Sequence, residues 1–158
     1  MQYIKLQLGC LMVILYIIIT YVKATANGKL PCNRIFDALL VLAPWTVFFD
    51  GLTAWTVNHM DIVPKSVNLI AHLFFLVFMD LMIIVTTLYM YDQIVGLSKR
   101  HKKKNLLLFI PGVLSLILII AGIGQLDFIH GKTTWYSMGF SAYVCFTSLF
   151  FHYGIILF

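Results

Sequence analysis

Four side chains able to carry charge or move a proton stand inside otherwise apolar runs of this chain: Asp50, His72, Asp80 and His152. An ionisable group at membrane depth is expensive, so each of them requires a partner or an aqueous cavity. With a helical rise of about 1.5 Å per residue, Asp50 sits about 10 Å from the nearer end of its run and His72 about 9 Å from the start of the next. The two runs are joined by a short loop, so an Asp50–His72 pair is geometrically reasonable. Asp80 and His152 lie deeper, about 21 Å and 25 Å into their runs. His72 and Asp80 are eight residues apart and therefore fall within about 80° on one helical face.

These residue types allow a polar pocket around Asp50 and His72 that receives a small ligand or responds to pH, because imidazole titrates near neutrality. They equally allow a buried polar pair that fixes helix packing, or a proton or ion pathway. Two His and two Asp spread over separate runs lack metal-ligand spacing, so no metal is expected. Ser137, Ser141 and Ser148 stand outside any Gly-x-Ser-x-Gly context, and no Walker, Cys-x-x-Cys or His-Glu-x-x-His pattern occurs. No catalytic residue and no cofactor is expected.

The elements that must position these groups are five apolar runs, at about 6–22, 35–57, 67–91, 106–126 and 135–158. Each approaches or exceeds the roughly 20 residues that cross a hydrocarbon core as helix. The chain has 158 residues, of which 61% are hydrophobic and 11% charged. A soluble domain carries about a quarter charged residues. The expected fold is all-α: one integral membrane bundle of five transmembrane helices over 1–158, with no room left for a soluble catalytic domain.

Basic residues gather in alternate gaps. Lys23, Lys29 and Arg34 occupy the first gap, and Lys99, Arg100, Lys102, Lys103 and Lys104 the third. The other two gaps hold one Lys and one Asp each, Lys65 with Asp61 and Lys132 with Asp127. Positive loops stay cytoplasmic, which sets the N-terminus outside and the C-terminus inside. The run Lys99 to Lys104 reads as an anchor on anionic lipid heads, not as a nucleic-acid patch. Ala24-Thr25-Ala26 resembles a signal-peptidase site, but cleavage there would put the basic third loop outside, against the charge rule.

Local signals refine the runs. Asn33 is placed to cap the second helix, with Arg34 and Asp37 one turn apart. Pro44 is expected to kink that helix, and Asn27-Gly28 marks a turn before it. Trp55, Tyr89 and Tyr91 fit aromatic belts. Gly122 and Gly124 suggest close helix packing. Cys10 and Cys145 read as small packing residues, and the odd third cysteine, Cys32, argues against a disulfide framework. The fifth run ends at Phe158 without a basic residue, which suggests a fragment of a longer chain.

One resemblance follows from Asn33-Arg34-Ile35-Phe36, Asp50, Asn68 and the basic loop followed by Pro111. Spans two to four resemble the multi-span N-terminal input region of bacterial signalling proteins, of the histidine-kinase N-terminal seven-span type. That family is commonly joined to a GGDEF diguanylate cyclase domain, less often to a kinase or phosphodiesterase. The resemblance implies a sensor module in the bacterial plasma membrane, with a small-molecule or physical signal, an output domain in cis and a homodimer as candidate partners besides lipid. The chain departs from the family in having five runs and no GGDEF sequence. A small transporter or proton-coupled carrier using Asp50, His72 and Asp80, and a structural membrane subunit, are the rival expectations.

Overall fold

The computed structural model describes residues 4–29, 33–94, 102–132 and 134–157, as backbone alone at 102–108 and 155–157. Its elements in chain order are helices α1 (Lys5–Ala26), α2 (Arg34–Val57), α3 (Lys65–Ile94) and α4 (Lys102–Gly122), strands β1 (Leu126–His130) and β2 (Trp135–Gly139), and helix α5 (Phe140–Leu157). Helices apolar on all sides satisfy their backbone internally, which is what a bilayer demands. By length and composition α1, α2 and α3 are long and apolar enough to cross a membrane. The fourth and fifth helices run 21 and 18 residues.

Local chemistry explains the boundaries. The Asn33 side chain accepts from the Ile35 and Phe36 amides at 3.0 and 3.3 Å, the expected cap of α2. Asp37 in the first turn of α2 accepts from the Tyr21 hydroxyl at 2.9 Å, which ties α1 to α2. Helix α2 continues through Pro44. The turn after α1 uses Gly28 at φ 67°, a left-handed conformation that favours glycine.

Helix α3 is the centre of the bundle, packing on α2, α4 and α5, while α1 lies along α2. No residue of α1 is buried, whereas α3 buries nine, among them Asn68, His72 and Asp80. The α2–α3 seam is aromatic: the Phe49 ring stacks on Phe74 at 5.1 Å and on Phe78 at 5.4 Å between centroids. On its other side α3 contributes Leu76 and Ile83 to a core with Ile119, Leu126 and Cys145.

Two expectations need correction. The segment after the fourth run is not a plain loop, and the fold is not wholly α-helical. The fourth run leaves the helix at Gly122, passes through a 3-10 turn (Ile123–Gln125) and enters β1 at Leu126. The fifth run opens as β2, so its helix begins at Phe140 and not at Trp135. The strands pair antiparallel from Leu126↔Gly139 to His130↔Trp135, and the Gly131 amide closes the turn on the Thr134 carbonyl at 2.8 Å.

The physical reason lies in alternation and in glycine. Leu126 is buried and Asp127 exposed. Phe128 turns inward, with its ring 5.6 Å from that of His72. That is the period of a strand. Gly139 lies against the Gln125 backbone so closely that a Cβ there would collide with the Gln125 carbonyl. The Trp135 amide donates to the Asn58 side chain at 3.2 Å, fastening the hairpin over the end of α2. Of the basic anchors, Lys99 and Arg100 lie outside the described residues, and Lys102, Lys103 and Lys104 are the first three residues of α4.

Candidate functional site: a buried polar junction

Three helices meet around one polar chain. Asp80 on α3 is fully buried. Its Oδ2 accepts from Ser115 Oγ on α4 at 2.6 Å. Ser148 Oγ on α5 donates to Ser115 Oγ at 3.3 Å and stands 3.3 Å from Nδ1 of His152, one turn further along α5. All four side chains are buried. The close approach of α4 depends on Gly112. A Cβ at that position would come within 2.6 Å of the Ile84 side chain on α3 and 3.5 Å of His152 Nε2. A larger residue would hold α4 away and lift Ser115 from Asp80.

The protons of this chain can be assigned from donor and acceptor chemistry. His152 Nδ1 lies 2.8 Å from the Ser148 carbonyl, which can only accept, so Nδ1 carries the ring proton. Ser115 has one proton and two acceptors in reach, Asp80 Oδ2 and the Gly112 carbonyl at 2.8 Å. The Ser148–Ser115 contact is longer than the usual ~2.5–3.0 Å of an O–H···O bond. Among the described residues Asp80 Oδ1 and His152 Nε2 are buried and have no hydrogen-bond partner. Buried polar groups are ordinarily paired, and an incompletely satisfied network has more than one arrangement available to it.

The composition Asp, Ser, His does not make a hydrolytic triad here. A triad needs the carboxylate on the imidazole and the other ring nitrogen free to take the serine proton. In this junction Asp80 contacts a serine, and the nitrogen nearest Ser148 already holds its proton. Among the described residues no group of three or more His, Cys, Asp or Glu side chains is placed to hold a metal ion. The arrangement can key three helices together, hold or pass a proton, or exchange one of its hydrogen bonds for one to a ligand. Grooves of about 200 Å³ (lined by Met79, Thr86, His152 and Tyr153, among others) and about 540 Å³ (between α4 and α5) flank it.

The other two expected site residues have different partners. Asp50 Oδ2 accepts from the Gln7 side chain on α1 at 3.1 Å. The neighbouring Gly51 also faces α1, where a Cβ would sit in ordinary contact with Ile4 and Gln7, 3.5–3.6 Å away. His72 Nδ1 donates to the Asn68 carbonyl at 2.8 Å, and Asn68 Oδ1 accepts from Thr56 on α2 at 2.9 Å. Neither Asp50 nor His72 lines the grooves nearest to them. The junction instead joins Asp80 to His152, the pair whose similar depth was legible in the sequence.

Ser115 was not singled out from the sequence, although a signal existed. It is the only polar side chain between Asn105 and Gln125. Gln7 and Thr56 carried no such mark. Gly122 behaves as expected, since a Cβ there would strike the Phe140 ring, while the space around Gly124 is open. Comparison with known proteins returned no matching family model, no matching curated protein and no matching solved structure.

Proposed function

We propose that the chain is the membrane-embedded input module of a bacterial signalling protein, in which the Asp80–Ser115–Ser148–His152 junction is the element that responds. The observation that carries this reading is the junction's spare capacity. Among the described residues two buried polar atoms of the junction lack partners, and the junction's own link from α5 to α4 is a 3.3 Å contact. A helix staple selected for strength alone would satisfy its groups. A signal that favours one arrangement by a few kcal/mol repopulates the other. Helix α5 contributes two of the four junction residues, so its position against α3 and α4 is what such a shift changes.

In this reading all five helices span the bacterial plasma membrane, with the hairpin outside and the start of α4 at the cytoplasmic face. The distribution of Lys and Arg supports that orientation. The output is a cytoplasmic domain, a diguanylate cyclase before a kinase. The test has two parts. The native gene is read past Phe158 for an output domain. Then cyclic-di-GMP, or autophosphorylation, is measured in cells carrying Asp80→Asn or Ser148→Ala. An output that follows these changes at equal protein level supports the module, and an output blind to both removes it. Labelling of single cysteines at positions 58 and 27, in a background free of Cys10, Cys32 and Cys145, checks the orientation. Position 58 is expected to react from outside and position 27 from inside.

A second reading is favoured by one observation, the continuous carboxyl–hydroxyl–hydroxyl–imidazole chain. It ends on an unpartnered oxygen and an unpartnered nitrogen. Such a chain is suited to a proton-coupled carrier. Reconstituted vesicles then take up protons in a manner that Asp80→Asn abolishes.

A further inference from the structure

We infer that the groove between α4 and α5 is a binding site for a membrane-soluble molecule with a flat apolar body and a ketone or quinone carbonyl. This deepens the input-module reading and rests on it, because it names the chemistry of the signal. The groove measures about 540 Å³ and is walled by Pro111, Leu118, Phe140, Tyr143 and Phe151, with Ser115 and Ser148 at its floor. That volume falls in the ~300–1,000 Å³ range of small-molecule sites, and the combination of apolar walls with a few convergent polar groups is their usual chemistry. Its walls include residues that are exposed on the bundle surface, Phe140, Tyr143 and Phe151. Those face lipid if the helices span, so a ligand enters by partitioning into the bilayer. Three aromatic rings suit a planar body.

The floor specifies the polar group. Ser148 has one proton, and its acceptor, Ser115 Oγ, is 3.3 Å away. His152 Nδ1 cannot accept that proton, because it donates its own to the Ser148 carbonyl. Ser115, by contrast, holds Asp80 at 2.6 Å. The loosest hydrogen bond at the floor of the groove is therefore a donor. A ligand carbonyl at ordinary distance, about 2.8 Å, takes the Ser148 proton on better terms than Ser115 does. When Ser148 turns to the ligand it lets go of Ser115. The buried hydroxyl link that remains between α5 and α4 is Ser141 Oγ to the Ile119 carbonyl at 2.9 Å, nearer the hairpin. The far half of α5 is thereby freed to shift.

The test uses the intact chain in lipid nanodiscs with 2-methyl-1,4-naphthoquinone as probe and 2-methylnaphthalene as its counterpart without carbonyls. Binding is measured by equilibrium dialysis, with uptake by empty nanodiscs subtracted. Saturable quinone binding is expected, weaker by about 3- to 10-fold for the hydrocarbon and for Ser148→Ala, the worth of one hydrogen bond. Ser148→Thr keeps the hydroxyl and is expected to keep the affinity, which separates lost binding from lost fold. Leu118→Trp fills the groove and is expected to abolish saturation. Equal affinities for the two probes mean a slot for acyl chains, and overturn the proposal. So does a Ser148→Ala chain that binds as tightly as the original. A dimer that Leu118→Trp splits, with no saturable quinone binding, assigns the groove to a second copy and overturns it as well. Quinone binding that is saturable but leaves the cellular output unchanged upholds the site and removes the input-module reading.

Discussion

Helix α3 has two sides that are held in opposite ways. Toward α2 it presents Phe74 and Phe78, stacked on Phe49, with the Trp45 ring 6.2 Å from Phe78. Toward α4 and α5 it presents the apolar Leu76 and Ile83 and, beside them, Asp80, which meets the Ser115 hydroxyl of α4 and through it that of Ser148 on α5. The aromatic seam is built of stacked, partly exposed rings and is indifferent to proton position. In a bilayer, where lipid is as apolar as the rings, its strength would be packing rather than hydrophobic transfer. The polar junction is small and directional, and it keeps two polar atoms in reserve. One helix thus meets α2 mainly through stacked rings and α4 and α5 through a buried carboxyl–hydroxyl contact as well as apolar packing.

Four substitutions break or sharpen this contrast. The largest effect is expected from Gly112→Ala, whose Cβ would overlap Ile84. Overpacking of this kind costs about 1–3 kcal/mol. Reversible unfolding in mixed micelles measures it, and Ile84→Ala in the same chain should return part of the loss; simple additivity of the two would mean that α4 does not touch α3 here. Next comes Phe49→Ala, expected to cost about 2 kcal/mol through lost stacking and the cavity left behind. Under the proposed function it should leave the output and quinone binding unchanged, since Phe49 lies outside the junction. A change in either would erase the distinction between the two sides.

Ser115→Ala is smaller. Interhelical hydrogen bonds in membrane proteins average about 0.6 kcal/mol and reach about 1.7 kcal/mol. A cost inside that window is expected and, under the proposed function, loss of the output response with it, so stability and signalling should part company. The smallest effect is expected from Gln7→Leu. The Gln7–Asp50 bond is half-buried and ties down the peripheral helix α1, so a cost of no more than about 0.6 kcal/mol is expected. A larger loss in the same unfolding measurement would make α1 part of the core.

Much of the frame was legible because it is written in local chemistry. The helices of the first three runs, the Asn33 cap and the turn at Asn27-Gly28 follow from apolar runs and backbone preferences. Gly122 as a contact glycine follows from the small-residue rule for packed helices. The hairpin escaped notice because Leu126–His130 and Trp135–Gly139 are as apolar as the helices beside them, and hydropathy does not distinguish strand from helix in short runs. Only the alternation at Leu126, Asp127 and Phe128 betrays it, over too few residues to stand out. The pairing of Asp50 with His72 rested on similar depth in consecutive runs. Depth says nothing about azimuth: Asp50 faces α1, and Gln7 meets it there.

By itself the sequence determined that the chain carries apolar helices of membrane-crossing length, which residues are costly at such depth, and where the second helix begins. These depend on composition and on contacts within one turn. Which of the costly residues meet was decided by tertiary structure alone. Asp80 and His152 are 72 positions apart in the numbering and are joined through Ser115 and Ser148 where α4, bare at Gly112, packs against Ile84 of α3. A helix fixes the height of a side chain through its rise per residue, but which neighbour it faces is set by rotation about the axis, and that is settled only when the helices pack.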